Sequence, residues 1–350
     1  MNTVTVTASK TYQVHIGCGL IDRLGELCLA VQKPSKVCIV SDSNVWPIYG
    51  EAVQKSLQCS GYTAIHFTFQ AGEEQKNGAT FLELLNFCAE NQLTRSDMLI
   101  ALGGGVVGDL TGFAAACYLR GVKYVQVPTS LLAMVDSSVG GKTAIDLPAG
   151  KNLAGAFYQP SLVVCDLDAL NTLPKAVFID GCAEVIKYGI LYDSALFSHL
   201  EENDVDFQKE YVISRCISLK RDVVNEDELD TGARQKLNLG HTVGHAIEAS
   251  SRFSVSHGNA VAAGMAIVTK SAVHSGICQK ETLNRVINVL ENFGLPTCTK
   301  YSAAVLSEMA LKDKKRTGDT LNLIIPVEIG NCMIQNTPTE ELKAFIQAGL

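Results

Sequence analysis

The sequence predicts an α/β domain followed by a mainly α-helical domain. Short apolar strands alternate with helical patterns in the first half, which is typical of a parallel sheet covered by helices on both faces. Beyond about residue 173 strand signals cease, and helices are expected from Ala176 to about Arg316, with a last strand candidate at Leu321 to Val327. A chain of 350 residues is long enough for two domains. We place the boundary at Pro174, which gives domains 1–174 and 175–350.

Composition and charge describe an ordinary globular protein, with 47% hydrophobic and 19% charged residues. The net charge of -7 argues against a nucleic-acid partner and against a polybasic membrane anchor. No apolar run approaches the roughly 20 residues of a membrane span, and the first residues alternate as a strand does, without the apolar core of a signal peptide. The sequence therefore predicts a soluble, cytoplasmic protein with no membrane partner.

The twelve cysteines are scattered without a CxxC pair. Cys38, Cys117, Cys165 and Cys216 each lie in an apolar segment. We predict buried free thiols in a reducing compartment.

The first-domain elements follow in order. The run 36–40 is predicted to be a strand that ends next to Asp42, with a helix over 48–58 and a second strand over 63–69 after it. A turn then carries Glu73 and Lys76. A helix over 79–91, a strand over 97–102 and a strand over 124–127 complete the alternation.

A glycine-rich loop follows the strand that ends at residue 102. Gly103, Gly105 and Gly108 fit GxGxxG between that strand and a helix expected from Asp109 onward. Absent side chains allow backbone amides to approach a pyrophosphate at a helix N-terminus, although a tight turn with close packing gives the same pattern. The acid that usually follows by about 20 residues is not found there. We expect adenosine near Asp42 instead, with pyrophosphate near Gly104 and Gly105.

The segment from Pro128 to Pro160 is predicted to form glycine-flanked loops that hold a polar, phosphorylated ligand. Asp136, Lys142, Lys151 and Asn152 provide charged and amide groups for such a ligand. GGKT resembles part of a P-loop, but the upstream glycine spacing is not met, so ATP hydrolysis is not predicted.

Three histidines and one glutamate in the second half could bind a divalent metal. His241 and His245 are four residues apart on a predicted helix, and His257 follows after a turn. Glu184 lies in an apolar helix, where an unpaired carboxylate is costly, and Lys187 shares its face. The residues leave three possibilities open: chelation by His241 with His245, a mixed site of Glu184, His241 and His257, or a helical ion pair with no metal. The motif is not HExxH, so it does not predict a metalloprotease.

Further cations precede these histidines. Lys220 lies on a predicted helix, and Arg234, Asn238, His241 and His245 follow at steps of four, three and four. One continuous helical face carrying these groups would suit the wall of an anionic substrate site. The cluster of Lys312, Lys314 and Lys315 is either a solvated run or a lid over an anion.

The motifs GGGVVGDLTGF, YLRGV, VQVPTSLLAMVDSSVGGKTAID, AGKNLAGAFYQP, AEVIKYGI, LNLGHTVGHAIEA and SHGNAVAAGM together resemble the 3-dehydroquinate synthase family over nearly the whole chain. The resemblance implies a Rossmann-like NAD-binding domain, a helical metal-binding domain and a homodimer. It implies conversion of 3-deoxy-D-arabino-heptulosonate 7-phosphate, a phosphorylated sugar acid of the shikimate pathway, to 3-dehydroquinate and phosphate. The implied steps are transient oxidation by NAD+, phosphate elimination, reduction and intramolecular aldol closure.

The resemblance also assigns residues. It implies a Zn2+ or Co2+ site of Glu184, His241 and His257, with His245 on the substrate side. Phosphate is assigned to Lys142, Asn152, Asn238 and His245, and the carboxylate to Lys220 and Arg234. Asp136, Lys187 and one of Lys314 and Lys315 match further substrate or catalytic positions, and Arg120 matches a residue that reaches the neighbouring subunit. The implied NAD+-binding residues are Asp42, Asn44, Glu73, Lys76, Gly104, Gly105, Val106, Asp109, Thr129, Ser130, Leu132, Asp136, Lys142, Lys151 and Asn152.

Three other functions share parts of this machinery. Another sugar-phosphate cyclase, such as 2-deoxy-scyllo-inosose synthase or a valiolone-forming enzyme, would act on a substrate without a carboxylate. A metal-dependent polyol dehydrogenase would not need the cations that retain phosphate, and a non-catalytic NAD sensor or scaffold would not need the catalytic set. Arg234 together with Lys220 favours the carboxylated substrate.

Overall fold

The computed structural model of the protein describes residues 1–311 and 319–350. Its first 174 residues alternate strands and helices, as expected. These elements are β1 (Asn2–Thr7), β2 (Thr11–Gly17), α1 (Leu24–Cys28), β3 (Lys36–Asp42), α2 (Trp46–Cys59), β4 (Thr63–Phe69), α3 (Gly78–Glu90), β5 (Met98–Gly103), α4 (Gly105–Cys117), β6 (Lys123–Pro128), β7 (Lys142–Leu147), β8 (Gly150–Phe157) and β9 (Leu162–Asp166).

Helices dominate the remainder. They are α5 (Lys175–Tyr192), α6 (Ser194–Asn203), α7 (Lys209–Glu226), α8 (His241–Ser250), α9 (His257–His274), α10 (Lys280–Asn292) and α11 (Ala303–Leu311), followed by β10 (Thr320–Glu328), β11 (Asn331–Pro338) and α12 (Leu342–Gly349). The predicted fold class, an α/β part followed by a mainly helical part, is confirmed.

A seven-stranded sheet within the described residues organises the α/β part, in the order β1-β2-β9-β6-β5-β3-β4. All neighbours are parallel except β1 and β2, which form an antiparallel hairpin. Both faces of the sheet are buried: Val37 and Ile39 of β3 pack into one core, while Cys38 and Val40 pack into the other. This explains why the central strands are continuously apolar rather than alternating.

The chain forms two compact units, of which the first is not continuous in sequence. It comprises Met1–Pro174 together with Lys209–Leu229, so α7 belongs to it, whereas the second comprises Lys175–Gln208 and Asp230–Leu350. The sequence-based division at residue 174 did not anticipate this return of α7. In the first unit α7 packs against β1 and against the turn at residues 133–137.

In the second unit α8 and α9 pack with their backbones in close contact. A Cβ on Gly264 would lie 2.1 Å from the carbonyl oxygen of Gly240, and one on Gly240 would lie 2.7 Å from that of Val261. Gly240 also has a φ of 77°, which favours glycine. Glycine at these positions lets the two histidine-bearing helices approach each other.

Several sequence-based expectations about elements were wrong. Residues 128–160 contain the β7–β8 hairpin and a π-helical turn at Ala133–Ser137 rather than loops alone. The helix after the glycines begins at Gly105 and not at Asp109. At the C-terminal end the predicted strand β10 pairs with a second strand, β11, that was not expected, and α12 was also missed.

The described residues include all twelve cysteines, and all are free thiols. Cys38, Cys165 and Cys216 are buried as expected, whereas Cys117 is exposed, and so are Cys18, Cys59 and Cys298. Cys117 is the last residue of α4, where the helix meets solvent.

Candidate active site

The glycine-rich loop lies at the carboxyl end of β5. Gly104 is the N-cap of α4 and has no side chain to satisfy the first amides of the helix, so these N–H groups can bind an anion. A Cβ on Gly104 would meet only Ser130 Oγ, at 3.6 Å, so the space beside it is open. A Cβ on Gly108 would lie 2.7 Å from Gln126 Oε1 on β6, which is the close helix–strand packing expected of the third glycine. This geometry fits the pyrophosphate of a dinucleotide.

Asp42 ends β3, the strand next to β5 in the sheet. Because the chain leaves β3 toward β4 on one side and β5 lies on the other, the two carboxyl ends flank a topological switch point, where α/β sheets bind ligands. Asp42 Oδ1 accepts hydrogen bonds from the amides of Asn44 and Val45, at 2.8 and 3.0 Å. Oδ2 is the oxygen that could accept from a ribose hydroxyl, and Asn44 is exposed beside it.

Lys76 is the centre of a buried polar network in the first unit. Its Nζ lies 2.5 Å from Asp109 Oδ2 on α4 and 2.6 Å from Asn152 Oδ1 on β8. Burial lowers the pKa of Lys76, but Asp109 and Glu73 outweigh this and raise it, so the ammonium stays charged. Lys151 extends the network, with its Nζ 3.5 Å from Glu73 Oε1. The structure thus brings these five sequence-predicted residues together.

Asn152 has a φ of 54°, in the left-handed region that asparagine tolerates better than most residues. Its amide donates to Asp146 Oδ1 at 2.8 Å, which fixes this turn of the hairpin. Lys142 begins β7 on the opposite strand and is exposed. Both residues are therefore held by the hairpin that sequence reasoning missed.

Asp136 and Lys220 form an ion pair in the first unit. Lys220 Nζ lies 2.7 Å from Asp136 Oδ1 and also donates to the carbonyl oxygen of Asp136. Lys220 is 5% exposed. Packing of α7 against the turn that carries Asp136 therefore places the ammonium of Lys220 on this aspartate.

Four further predicted residues of the first unit are placed by the elements that carry them. The amide of Thr129 donates to Gly103 O at 3.0 Å, and Leu132 precedes the π-helical turn. Val106 lies in the first turn of α4. Arg120 is exposed and has a φ of 66°, a backbone strain of the kind that clusters at functional sites.

In the second unit Glu184, His241 and His257 bring three potential ligand atoms within 4.8 Å of one another. The Nε2 atoms of His241 and His257 each lie 3.5 Å from Glu184 Oε1. The other oxygen of Glu184, Oε2, pairs with Lys187 Nζ. The ion pair and the mixed cluster expected from the sequence therefore both exist, on different oxygens of one carboxylate.

Hydrogen bonds select the ring atoms that could bind metal. His241 Nδ1 lies 3.0 Å from Leu239 O, which can only accept, so this nitrogen carries the proton and Nε2 offers its lone pair. His257 Nδ1 lies 3.4 Å from Glu248 Oε2, so Nδ1 of this ring also carries a proton and Nε2 is the nitrogen that faces the cluster. One carboxylate and two neutral imidazoles fit a divalent ion such as zinc, which in catalytic sites takes three protein ligands. This geometry favours the mixed set over chelation by His241 with His245.

With no metal bound, burial lowers the pKa of His257, but the hydrogen bonds to Glu184 and Glu248 outweigh it and raise that pKa to about 10. Nε2 therefore becomes a neutral ligand only when a metal ion displaces its proton. A metal ion would compete with a proton for this ring.

The predicted substrate-side residues of the second unit lie on several elements. Arg234 is 2% exposed and Lys187 1% exposed, while His245 is half-buried on α8. Asn238 Nδ2 donates to Gln235 O at 3.0 Å. The continuous helical face from Arg234 to His245 was a wrong expectation, because residues 233–238 form a 3-10 helix that ends before Gly240. Lys312, Lys314 and Lys315 lie outside the described residues.

Two carboxylates next to the cluster of Glu184, His241 and His257 were missed from the sequence. Glu248 contacts His257, and Asp180 Oδ1 accepts from Ser256 Oγ and from the amide of Asn259, at 2.5 and 3.0 Å. Asp180 thereby caps the start of α9 from α5, next to His257. Glu248 follows His241 by seven residues, a spacing that puts both on one helix face and could have indicated it.

Comparison with known proteins places this geometry in a family. Residues 66–180 match the model of the 3-dehydroquinate synthase N-terminal domain, and residues 181–316 match that of the C-terminal domain. The chain is 40% identical over 344 residues to 3-dehydroquinate synthase of Clostridium acetobutylicum, covering 97% of each chain. It is 43% identical over 352 residues to that of Pelobacter propionicus, covering 98% of each. The chain belongs to the 3-dehydroquinate synthase family.

Solved structures of related cyclases have the same fold. A 2-deoxy-scyllo-inosose synthase complexed with carbaglucose-6-phosphate, NAD+ and Co2+ matches 100% of both chains, with a TM-score of 0.88 and 25% identity. A 2-epi-5-epi-valiolone synthase from Streptomyces hygroscopicus with NAD+ and Zn2+ bound matches 99% of this chain and 98% of its own, with a TM-score of 0.89 and 25% identity. An iron-containing alcohol dehydrogenase, at 12% identity, covers 99% of each chain with a TM-score of 0.69 and shares the fold alone.

Among the described residues we find no helix with both the length and the apolar character needed to cross a membrane.

Proposed function

We propose that this chain converts 3-deoxy-D-arabino-heptulosonate 7-phosphate to 3-dehydroquinate and phosphate, as a lyase of the shikimate pathway. The single observation that carries the proposal is the convergence of Glu184, His241 and His257 in a chain that is 40 to 43% identical to 3-dehydroquinate synthases over nearly its full length. The proposed reaction needs a metal cation between these three side chains, and one carboxylate with two imidazoles suits a divalent metal.

We propose NAD+ as the first cofactor, bound at the glycine loop and Asp42, and Zn2+ or Co2+ as the second, bound by the three residues named above. Related cyclases hold NAD+ with Co2+ or Zn2+. When bound, NAD+ would take and return a hydride, and the metal would act as a Lewis acid on the oxygen of the alcohol whose carbon is oxidised. No other cofactor is needed, because the hydride is recycled within each turnover.

The chain's own residues bind the substrate and move protons. In the second unit we propose that Arg234 binds the carboxylate, that Asn238 binds phosphate and that His245 binds phosphate and assists proton movement. Lys187 holds Glu184 Oε2 and so orients that carboxylate toward the two imidazoles. Asp136 in the first unit is proposed to orient Lys220, which contacts it.

In the first unit we propose that Lys142 and Asn152 bind phosphate and that Lys220 binds the carboxylate. Lys76 supports this role, because its contact with Asn152 fixes the side-chain amide.

We further propose a cytoplasmic homodimer in which Arg120 reaches the neighbouring subunit. Twelve free thiols suit a reducing compartment. Arg120 is exposed, and its φ of 66° is a strained backbone conformation of the kind that clusters at functional sites. Light scattering of the purified protein tests the oligomeric state, and a monomer would contradict the dimer.

A panel of substrates tests the proposed reaction. The metal-loaded protein with NAD+ is offered the heptulosonate phosphate, glucose 6-phosphate, sedoheptulose 7-phosphate and a simple polyol, and the carbocyclic products are identified by mass spectrometry. We expect 3-dehydroquinate from the first substrate alone. An inosose or a valiolone would identify one of the other cyclases, and NADH accumulating with the polyol would identify a dehydrogenase.

A further inference from the structure

The two histidines of the proposed metal site, His241 and His257, are oriented by different kinds of group. His241 donates from Nδ1 to the backbone oxygen of Leu239, two residues before it. The corresponding nitrogen of His257 meets a side chain, with Nδ1 3.4 Å from Glu248 Oε2. Only the second contact can be removed by substitution without disturbing the backbone.

Glu248 is placed for this contact by its helix and by its burial. It lies on α8 seven residues after His241, so both side chains leave the same face of the helix. Glu248 is 4% exposed, which is unusual for a glutamate on a helix of ten residues. A carboxylate at this depth is costly unless it is hydrogen-bonded, and His257 provides a donor.

We infer that Glu248 is a positioning residue of the proposed metal site. It accepts a hydrogen bond from the Nδ1–H group of His257 and thereby directs the Nε2 lone pair toward Glu184 and His241. The inference rests on the proposed metal role of those three residues. Its physical basis is that a carboxylate on the outer nitrogen fixes both the tautomer and the ring orientation, and makes the inner nitrogen a stronger ligand.

A different use of the same atoms can be distinguished. His245, Glu248 and His257 also bring three possible ligand atoms within 4.8 Å of one another, so Glu248 could itself bind a second ion. His257 would then have to lose its Nδ1 proton and bridge two cations. The positioning role needs neither step, and the two alternatives predict different metal contents.

The test compares metal binding by Glu248→Ala and Glu248→Gln with the wild type. Zn2+ affinity and stoichiometry are measured by competition with a chromogenic chelator, and the Co2+-loaded proteins are compared by their visible absorption spectra. Ala249→Gln, an exposed change at the next residue of α8, is the matched control. Glu184→Gln, which alters a proposed ligand, provides the reference for damage to the cluster itself.

We expect Glu248→Ala to bind Zn2+ about 10 to 100-fold more weakly, with one ion per chain at saturation and an altered Co2+ spectrum. Glu248→Gln should lose less, because its amide oxygen can still accept a hydrogen bond from Nδ1–H although the negative charge is gone. Since Gln keeps the size and the hydrogen bond, it also provides a folded variant if the alanine variant does not fold.

Two results would overturn the inference while leaving the metal site in place. One is unchanged Zn2+ affinity and an unchanged Co2+ spectrum in both variants. The other is a wild type that binds two ions, with Glu248→Gln losing one and keeping the affinity of the first. A wild type that binds no Zn2+ would instead contradict the proposed metal role itself, and the inference with it.

Discussion

Arg234 is a deeply buried cation to which the proposed function assigns the substrate carboxylate. Its guanidinium is always charged, yet the side chain is 2% exposed. A charge at this depth is stable only with acceptors that satisfy its five N–H donors. Guanidinium groups bind carboxylates through two parallel hydrogen bonds, and such a pair is strong where water is excluded.

Replacing Arg234 with alanine should raise KM and lower kcat/KM for the heptulosonate phosphate. The fall in kcat/KM should correspond to a loss of about 2 to 5 kcal/mol of transition-state stabilisation. Arg234→Lys keeps the charge but not the two-pronged geometry, so we expect an intermediate loss. Steady-state kinetics on variants with wild-type Zn2+ content measure the effect. An unchanged kcat/KM in Arg234→Ala would show that this residue does not face the substrate.

Single residues show what sequence reasoning could and could not supply. The positions of Glu184, His241 and His257 follow from motif resemblance, but which nitrogen of each ring faces the cluster depends on Leu239 O and Glu248, and these contacts exist only in the folded chain. A glutamate in a helix normally indicates a solvated face, and for that reason Glu248 was missed.

At the scale of elements, α4 and the glycine-rich loop before it form part of the proposed NAD+-binding site. The helix begins at Gly105, with Gly104 as a cap that lacks a side chain. Gly104 has a φ of -77° and a ψ of -168°, which other residues adopt without strain. Its lack of a side chain is therefore not required by the backbone, and a bound ligand is a reason for glycine here.

The change Gly104→Val separates folding from cofactor binding. The new Cβ would meet only Ser130 Oγ at 3.6 Å, so we expect a thermal midpoint within a few degrees of the wild type. The valine would fill the space proposed for the pyrophosphate, and NAD+ affinity measured by calorimetry should fall by about tenfold or more.

Gly78→Ala is the control for this experiment, because a Cβ there has nothing within 4 Å and lies at the start of a different helix. It should leave NAD+ affinity unchanged. Wild-type NAD+ affinity in Gly104→Val would exclude the glycine loop as the pyrophosphate site.

The elements that were predicted correctly are those with one dominant local pattern. The core strands are apolar on both faces, which indicates buried parallel strands whatever lies around them. The β7–β8 hairpin was missed because its strands contain glycine and polar residues, and because the glycines that flank it, such as Gly141 just before β7 with a φ of 67°, are equally typical of loops. The sequence analysis treated Gly240 as part of one continuous helix. Its left-handed backbone instead separates the 3-10 helix at residues 233–238 from α8.

At the scale of the whole molecule, the first unit is completed by a segment that returns from later in the chain. Helix α7 carries Lys220 to Asp136, although 84 positions separate them in sequence. A division based on where strand signals cease assigns α7 to the helical part, because its sequence alone is that of an ordinary amphipathic helix. Only long-range packing distinguishes the two assignments.

The proposed dimer predicts a specific form of complementation. Arg120→Ala and Lys187→Ala should each be nearly inactive, and we expect co-expressed mixtures to recover about one quarter of wild-type activity. If Arg120 acts on the neighbouring subunit, half of the mixed dimers' sites regain both residues. If it acts within its own chain, every site lacks one residue, and inactivity of isolated mixed dimers would contradict the proposed role.

The most direct test of the central claim is the ratio of phosphate released to NAD+ supplied. The purified, Zn2+-loaded protein is given excess heptulosonate phosphate and a limiting amount of NAD+, with phosphate and the absorbance of NADH followed together. The account predicts phosphate release far beyond the NAD+ present, with no lasting NADH, because the hydride returns in every turnover. Phosphate release that stops at the amount of NAD+ while NADH accumulates would contradict it.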